Sequence, residues 1–199
     1  MQHQVSEVMS NYFEEQTFEG KSLEQEEISA GEYELCVFRN CDFSQGNLSG
    51  FNFLECEFIE CNFSNANLSD VSLQAARFTN CKMLGLHFYK AKSFGFEAHF
   101  EQCQLDHSIF YQMNLGSCSF NACQLKGADF SEAGMKGVSL TNCNLQDAIF
   151  DRTNLERADL RASVNYTIDP EVNRLQGTQF DMPGVLGLLA KYKIKVSLN

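Results

Sequence analysis

The sequence predicts an all-β solenoid, a rod of stacked four-sided coils, on three observations. Between Cys36 and Leu160 the chain repeats every five residues. The third residue of each five is Phe, Leu or Met, from Phe38 to Phe88 and again from Phe100 to Leu160. All nine cysteines stand at the first position. A period of five matches neither the 3.6 of a helix nor the 2.0 of a flat strand. Self-similarity at a fixed short period calls for a repeat architecture.

Two inward residues in five, separated by one outward residue, describe a short extended segment and a turn. Four such segments closed into a square bring residue i+20 over residue i. Coils would then stack at roughly 4.8 Å, hydrogen-bonded to one another. The cysteines support this closure. Cys41, Cys61, Cys81, Cys103, Cys123 and Cys143 are spaced by 20, 20, 22, 20 and 20 residues, one column with a slip of two. Cys36, Cys56 and Cys118 belong to the neighbouring column with Ala76, Ala98, Val138 and Ala158. Phe38, Phe58, Phe78, Phe100, Phe120, Leu140 and Leu160 stack on one side, and Leu48, Leu68, Phe88, Phe110, Phe130 and Phe150 on the opposite side. Of 18 phenylalanines, 14 hold the central position between residues 13 and 150, so the interior is mainly rings and leucines. Each buried ring contributes about 1.5–3 kcal/mol.

The expected organisation is an N-terminal cap and irregular first coil over 1–35, a repeat rod over 36–180 interrupted near 90–98, and a C-terminal helix and strand over 181–199. Phe13, Phe18, Leu23, Ile28 and Tyr33 keep the central register, but Gln16, Lys21 and Glu26 would point polar groups inward. At the interruption Phe94 and Phe96 have no assigned inward position. Two readings stay open there: a bulge, and a projecting loop that touches a partner. Leu175 and Phe180 re-enter the register as a deformed last coil. Asp181 then caps a short helix with Pro183 in its first turn, and Lys193–Val196 alternates like a strand. The helix, with Val185, Leu188 and Leu189 on one face, either caps the rod or pairs with a copy of itself.

No run of 18 apolar residues occurs, so no transmembrane helix is expected. The start lacks the features of a secretory signal. Without any CxxC pair, the cysteines read as small buried apolar side chains in a reducing cytoplasm. On that reading Cys61→Ala costs little, while Cys61→Ser buries a hydroxyl with no assured partner. The four histidines have no metal-ligand spacing, and no phosphate loop or nucleophile elbow is present. No enzyme activity and no cofactor are expected.

The net charge of −11 is uneven. Residues 1–60 hold 13 acids against Lys21 and Arg39, and the remaining 13 acids are balanced by 13 bases. One reading is a solvated acidic end; the other is a surface that competes with nucleic acid for a basic groove. Direct nucleic-acid binding would need clustered Lys and Arg.

The unit (A/C)(D/N)(L/F)xx, repeated from CVFRN at residue 36 to ADLRA at 158, resembles the pentapeptide-repeat family. That resemblance implies a right-handed quadrilateral β-helix. The length, the unit CKMLG followed by an interruption, the stretch SVNYTIDP and the terminal module are similar to the gyrase-protecting branch, of albicidin- and quinolone-resistance type. It implies a cytoplasmic DNA mimic that binds DNA gyrase and shields it from inhibitors. It also implies a homodimer through Val185, Leu188, Leu189, Tyr192 and Ile194. The candidate partner-binding residues are Glu55, Glu57, Glu60, Phe94 and Phe96. The alternative is a scaffold module with a different partner.

Overall fold

The computed structural model describes residues 11–195. Its strands are β1 (Asn11–Glu14), β2 (Thr17–Glu19), β3 (Gly31–Glu34), β4 (Val37–Arg39), β5 (Asn52–Leu54) and β6 (Glu57–Ile59). They continue with β7 (Ser72–Gln74), β8 (Ala76–Thr79), β9 (Ala98–Glu101), β10 (Ser119–Asn121) and β11 (Ser139–Thr141). All pair in parallel and form two sheets on adjacent faces of one four-sided coil. The short sheet runs β1-β3-β5-β7, and the long one β2-β4-β6-β8-β9-β10-β11. Registers such as Phe38↔Phe58 and Phe58↔Phe78 show the twenty-residue turn. On the other faces single bridges such as Asp42↔Asn62 and Asn47↔Asn67 keep the same step.

The inward columns form as the period requires. Along one side, ring centroids stack at 4.9 Å for Phe38–Phe58, 4.8 Å for Phe58–Phe78 and 5.2 Å for Phe78–Phe100. On the opposite side Phe88, Phe110, Phe130 and Phe150 follow at 4.6, 5.1 and 5.3 Å. The coil spacing therefore sets the ring spacing. Rings from neighbouring faces meet edge-on, as Phe38 meets Phe53 at 5.7 Å and 90°, an arrangement aromatic quadrupoles favour.

Corners form at the fifth residue, which takes positive φ at Leu35 (54°), Asn40 (51°), Gln45 (55°), Asn65 (57°) and Asn142 (57°), among others. Asn, Asp and Gly suit this conformation, and Leu35 or Ala75 is held in it by the coil around it. The second residue supports the turn when it is Asn or Asp: Asp42 Oδ1 accepts from the Ser44 N–H at 2.9 Å, and Asn62 Oδ1 from Ser64 at 3.1 Å.

All nine cysteines are buried and free. Eight of the thiols, all but that of Cys118, donate to the carbonyl of a central residue one coil earlier: Cys61 Sγ to Phe38 O at 3.4 Å, Cys81 Sγ to Phe58 O at 3.3 Å. Burial pushes the Cys56 thiol up to about 12 and that of Cys118 up to about 11, so both stay protonated.

On the expected cap segment, β1 and β2 pair in the twenty-residue register, Asn11↔Gly31 and Thr17↔Val37. Gln16 and Glu26 are exposed rather than inward. Lys21 pairs with Glu27 at 3.2 Å. These polar groups lie in the outermost described coil. Past Leu160, bridges Asn154↔Arg174 and Asp159↔Gln179 carry the register into the last coil.

The C-terminal segment departs from a single α-helix. It makes two short 3-10 turns, Gly184–Leu188 and Ala190–Tyr192. Asp181 Oδ1 does accept from Gly184 N–H at 3.2 Å. Lys193 turns left-handed at φ 52°, and Ile194 and Lys195 form no strand; Val196 lies outside the described residues. The cause is packing. A Cβ on Gly184 would collide with the Tyr166 hydroxyl, and one on Gly187 with the Tyr166 carbonyl. The segment is folded onto that ring in pieces too short for an α-helix.

Candidate partner-binding surface

Of the twelve acids from Glu14 to Glu60, eight lie on the two faces that carry sheets or at their corners, and Glu24, Glu26, Glu27 and Asp42 lie off them. Glu14, Glu32 and Glu34 lie on β1 and β3 of the short sheet, and Glu19 and Glu57 on β2 and β6 of the long one. Glu15 and Glu55 occupy the shared corner with φ 51° and 52°, and Glu60 the next corner with φ 56°. Glu55, Glu57 and Glu60 are all exposed, because only first and third residues of each five turn inward. Tyr12 Oη donates to Glu34 Oε2 at 2.7 Å, and this bond to a carboxylate pushes the phenol up to about 12.

Farther along the rod, acids meet bases from the next coil. Arg152 pairs with Glu132 at 2.8 Å and Lys136 with Glu156 at 3.5 Å. The column geometry explains this contrast, since a charge at i neutralises one at i+20 only where the sequence supplies the opposite sign. The upper coils supply Lys21 and Arg39 against a large excess of acid.

The interruption borders this surface. The Lys92 N–H keeps the ladder on the Val71 carbonyl at 2.9 Å, and the ladder resumes with Glu97 N–H on Leu73 O at 3.0 Å. Between these anchors the two extra residues form a turn at Phe94 and Gly95, the latter with φ 68°. The turn ends the short sheet at β7. It also separates the two phenylalanines: Phe96 is 7% exposed and packs edge-on against Phe88, while Phe94 is 87% exposed. Lys92 Nζ donates to Asn52 Oδ1 at 3.0 Å and ties the turn to the coils above. The slip is thus a bulge that buries Phe96 and projects Phe94.

At the far end, Val185, Tyr192 and Ile194 are exposed, with Met182 and Leu186 beside them. Leu189 is half-buried, and Leu188 packs against the core of the rod. The module is held by Lys191, whose Nζ reaches Asp169 at 2.7 Å and Glu171 at 2.6 Å, and by Tyr192 Oη on Glu171 at 2.9 Å. Sequence reasoning missed Tyr166, whose only sequence signal is an aromatic where the repeat frays. Among the described residues no group of His, Cys, Asp and Glu could hold a metal ion, and no helix is long and apolar enough to cross a membrane.

A parallel β-helix of five-residue sides with its chemistry on the outside defines a class of repeat proteins that work through their surfaces. The chain belongs to the pentapeptide-repeat family: the Pentapeptide repeat region matches residues 32–94 and 96–167. The fold is its right-handed quadrilateral β-helix. No curated protein matches the sequence. Among solved structures, two trypsin-treated variants of QnrB1, a plasmid-mediated fluoroquinolone resistance protein, are similar. One is 23% identical with a TM-score of 0.56 and covers 94% of this chain and 100% of its own. The other is 22% identical with a TM-score of 0.62, covering 93% and 99%. HetL, involved in heterocyst differentiation regulation in the cyanobacterium Nostoc sp. strain PCC 7120, is 17% identical with a TM-score of 0.42 over 85% of this chain and 84% of its own. At these identities the likeness to the two QnrB1 variants establishes the fold alone.

Proposed function

We propose that this protein binds DNA gyrase in the cytoplasm and protects it from inhibitors, acting as a dimer and without catalysis. The observation that carries the reading is the excess of acid on two adjacent faces of a rigid rod, with Glu55, Glu57 and Glu60 all exposed. A basic groove built for duplex DNA is attracted to such a surface, and the association is steered by long-range charge. Phe94, held on a turn anchored at both ends, adds a preorganised aromatic contact, the type of residue that dominates binding energy at interfaces. QnrB1, whose name records fluoroquinolone resistance, lends support through a shared fold. A second reading, a scaffold for another partner, is favoured by the confinement of net acidity to residues 1–60.

The test is DNA supercoiling by gyrase in the presence of a fluoroquinolone or albicidin. The wild-type protein is expected to restore supercoiling. Changing Glu55, Glu57 and Glu60 to Gln is expected to weaken binding and flatten its salt dependence, with little change in stability. Absence of rescue, together with no binding to either gyrase subunit, would leave the scaffold reading standing.

A further inference from the structure

The last regular corner and the first C-terminal turn border an open cleft of about 410 Å³, lined by Ser163, Val164, Asn165, Tyr166, Asp181, Pro183, Gly184 and Gly187. Two of its groups are arranged for a ligand rather than for packing. Tyr166 is 4% exposed, yet its hydroxyl finds no hydrogen-bond partner among the described residues. Buried hydroxyls are nearly always paired, so this one calls for a partner. Asp181 is the second group. Its Oδ1 accepts from Gly184 N–H at 3.2 Å and its Oδ2 from Ala162 N–H at 3.0 Å, which fixes the carboxylate and leaves each oxygen capacity for another donor. Both groups flank Gly184: a Cβ there would strike Tyr166 Oη and lie 2.9 Å from Asp181 Oδ1.

We propose that this cleft binds a protonated amine, which donates to Tyr166 Oη and to Asp181 Oδ1. The carboxylate excludes an anion, and the unpaired hydroxyl disfavours a purely apolar occupant. An ammonium group brings three donors and the charge that Asp181 complements. Burial, assisted by the nearby Asp181 charge, pushes the phenol up to about 12, so Tyr166 stays neutral and the charge match is one to one. The glycines keep the wall thin where a side chain would fill it. The amine has two possible sources, a free small molecule or a lysine of a second copy. Lys193 and Lys195 are exposed close by in sequence and make no ion pair among the described residues.

The experiment is a titration of the whole chain with n-butylamine hydrochloride, followed through backbone amide NMR signals, against sodium chloride at equal ionic strength. Saturable shifts of Ala162, Gly184 and Gly187 are expected. Asp181→Asn should weaken binding about tenfold. Tyr166→Phe should also weaken it several-fold while raising the melting temperature, since it removes a buried hydroxyl and keeps the ring. Shifts that never saturate, that match the sodium chloride control, or that survive unchanged in Tyr166→Phe overturn the proposal. Sedimentation separates the sources. If Lys193→Gln with Lys195→Gln weakens self-association, and butylamine competes with it, the amine is a lysine of a second copy. If butylamine saturates the site while self-association is unaffected, the ligand is a free amine.

Discussion

Ser163 stands one coil beyond Cys143 in the same inward column, and both side chains donate to the corresponding carbonyl one coil back. Ser163 Oγ reaches Leu140 O at 2.7 Å, and Cys143 Sγ reaches Phe120 O at 3.7 Å. Ser163 Oγ also accepts from the Cys143 N–H at 2.9 Å. Other columns repeat the pattern, the neighbouring one with Ser108 on Met83 O at 3.0 Å and the opposite one with Thr153 on Phe130 O at 2.8 Å. A first position can therefore take a small side chain with one donor, and a hydroxyl at these positions has an acceptor waiting.

This relationship reverses the expectation drawn from sequence for the cysteine column. Cys61→Ser is expected to cost less than about 1 kcal/mol, because Phe38 O accepts the new hydroxyl and a net hydrogen bond contributes about that much. Cys61→Ala should cost as much or more, through the lost sulfur contacts. Urea unfolding of the two variants measures the order. A serine variant several kcal/mol less stable than the alanine one would mean that the acceptor is not available.

Phe94 and Phe96 are expected to respond in opposite ways. Phe96→Ala opens a cavity against Phe88 and should lose about 3 kcal/mol of stability. Phe94→Ala should stay within about 0.5 kcal/mol of wild type, as surface changes do, yet reduce gyrase protection. Thermal melts beside supercoiling assays resolve the two. Equal losses of stability and protection in Phe94→Ala would count against a recognition role.

The terminal module is expected to carry the dimer on its exposed residues. Val185→Asp with Ile194→Asp should give a folded monomer by sedimentation, since an isologous interface buries each new charge twice. Leu188→Asp is a different case: that side chain packs on the rod, so its expected effect is loss of docking before any change in association. A dimer that persists in the first variant would place the contact elsewhere.

Docking of the module is expected to depend on acid. Hydrogen bonds from Lys191 hold the Asp169 and Glu171 carboxyls below their ordinary ranges. A depressed folded value means that the contribution is present above the unfolded value and is lost as pH falls through the folded one. Amide exchange of residues 184–192 should thus accelerate as pH drops from about 5 towards 3, after correction for the intrinsic rate. Lys191→Met should abolish that step. Exchange with no such step in the wild type would show that the ion pairs do not hold the module.

The period of five made the columns legible, because it fixes side-chain direction locally. The rings at Phe38, Phe58 and Phe78 and the cysteines beneath them follow from counting. What counting missed depends on contacts remote in sequence. Phe94 and Phe96 are identical residues two apart, and their fates are decided where Glu97 rejoins Leu73. The left-handed corners are readable at Asn40 or Asn65 but silent at Leu35 and Ala75. The terminal turns take their shape from Tyr166, whose ring excludes a Cβ at Gly184 and Gly187.

Because the two-residue slip is confined to one face and the twenty-residue step resumes beyond it, the rod works as a ruler. Inserting or deleting one complete coil between Phe94 and the terminal module would move them apart or together by one graduation of about 4.8 Å, leaving both ends chemically unchanged. Reach along a partner is then adjustable in whole notches, independently of what either end recognises.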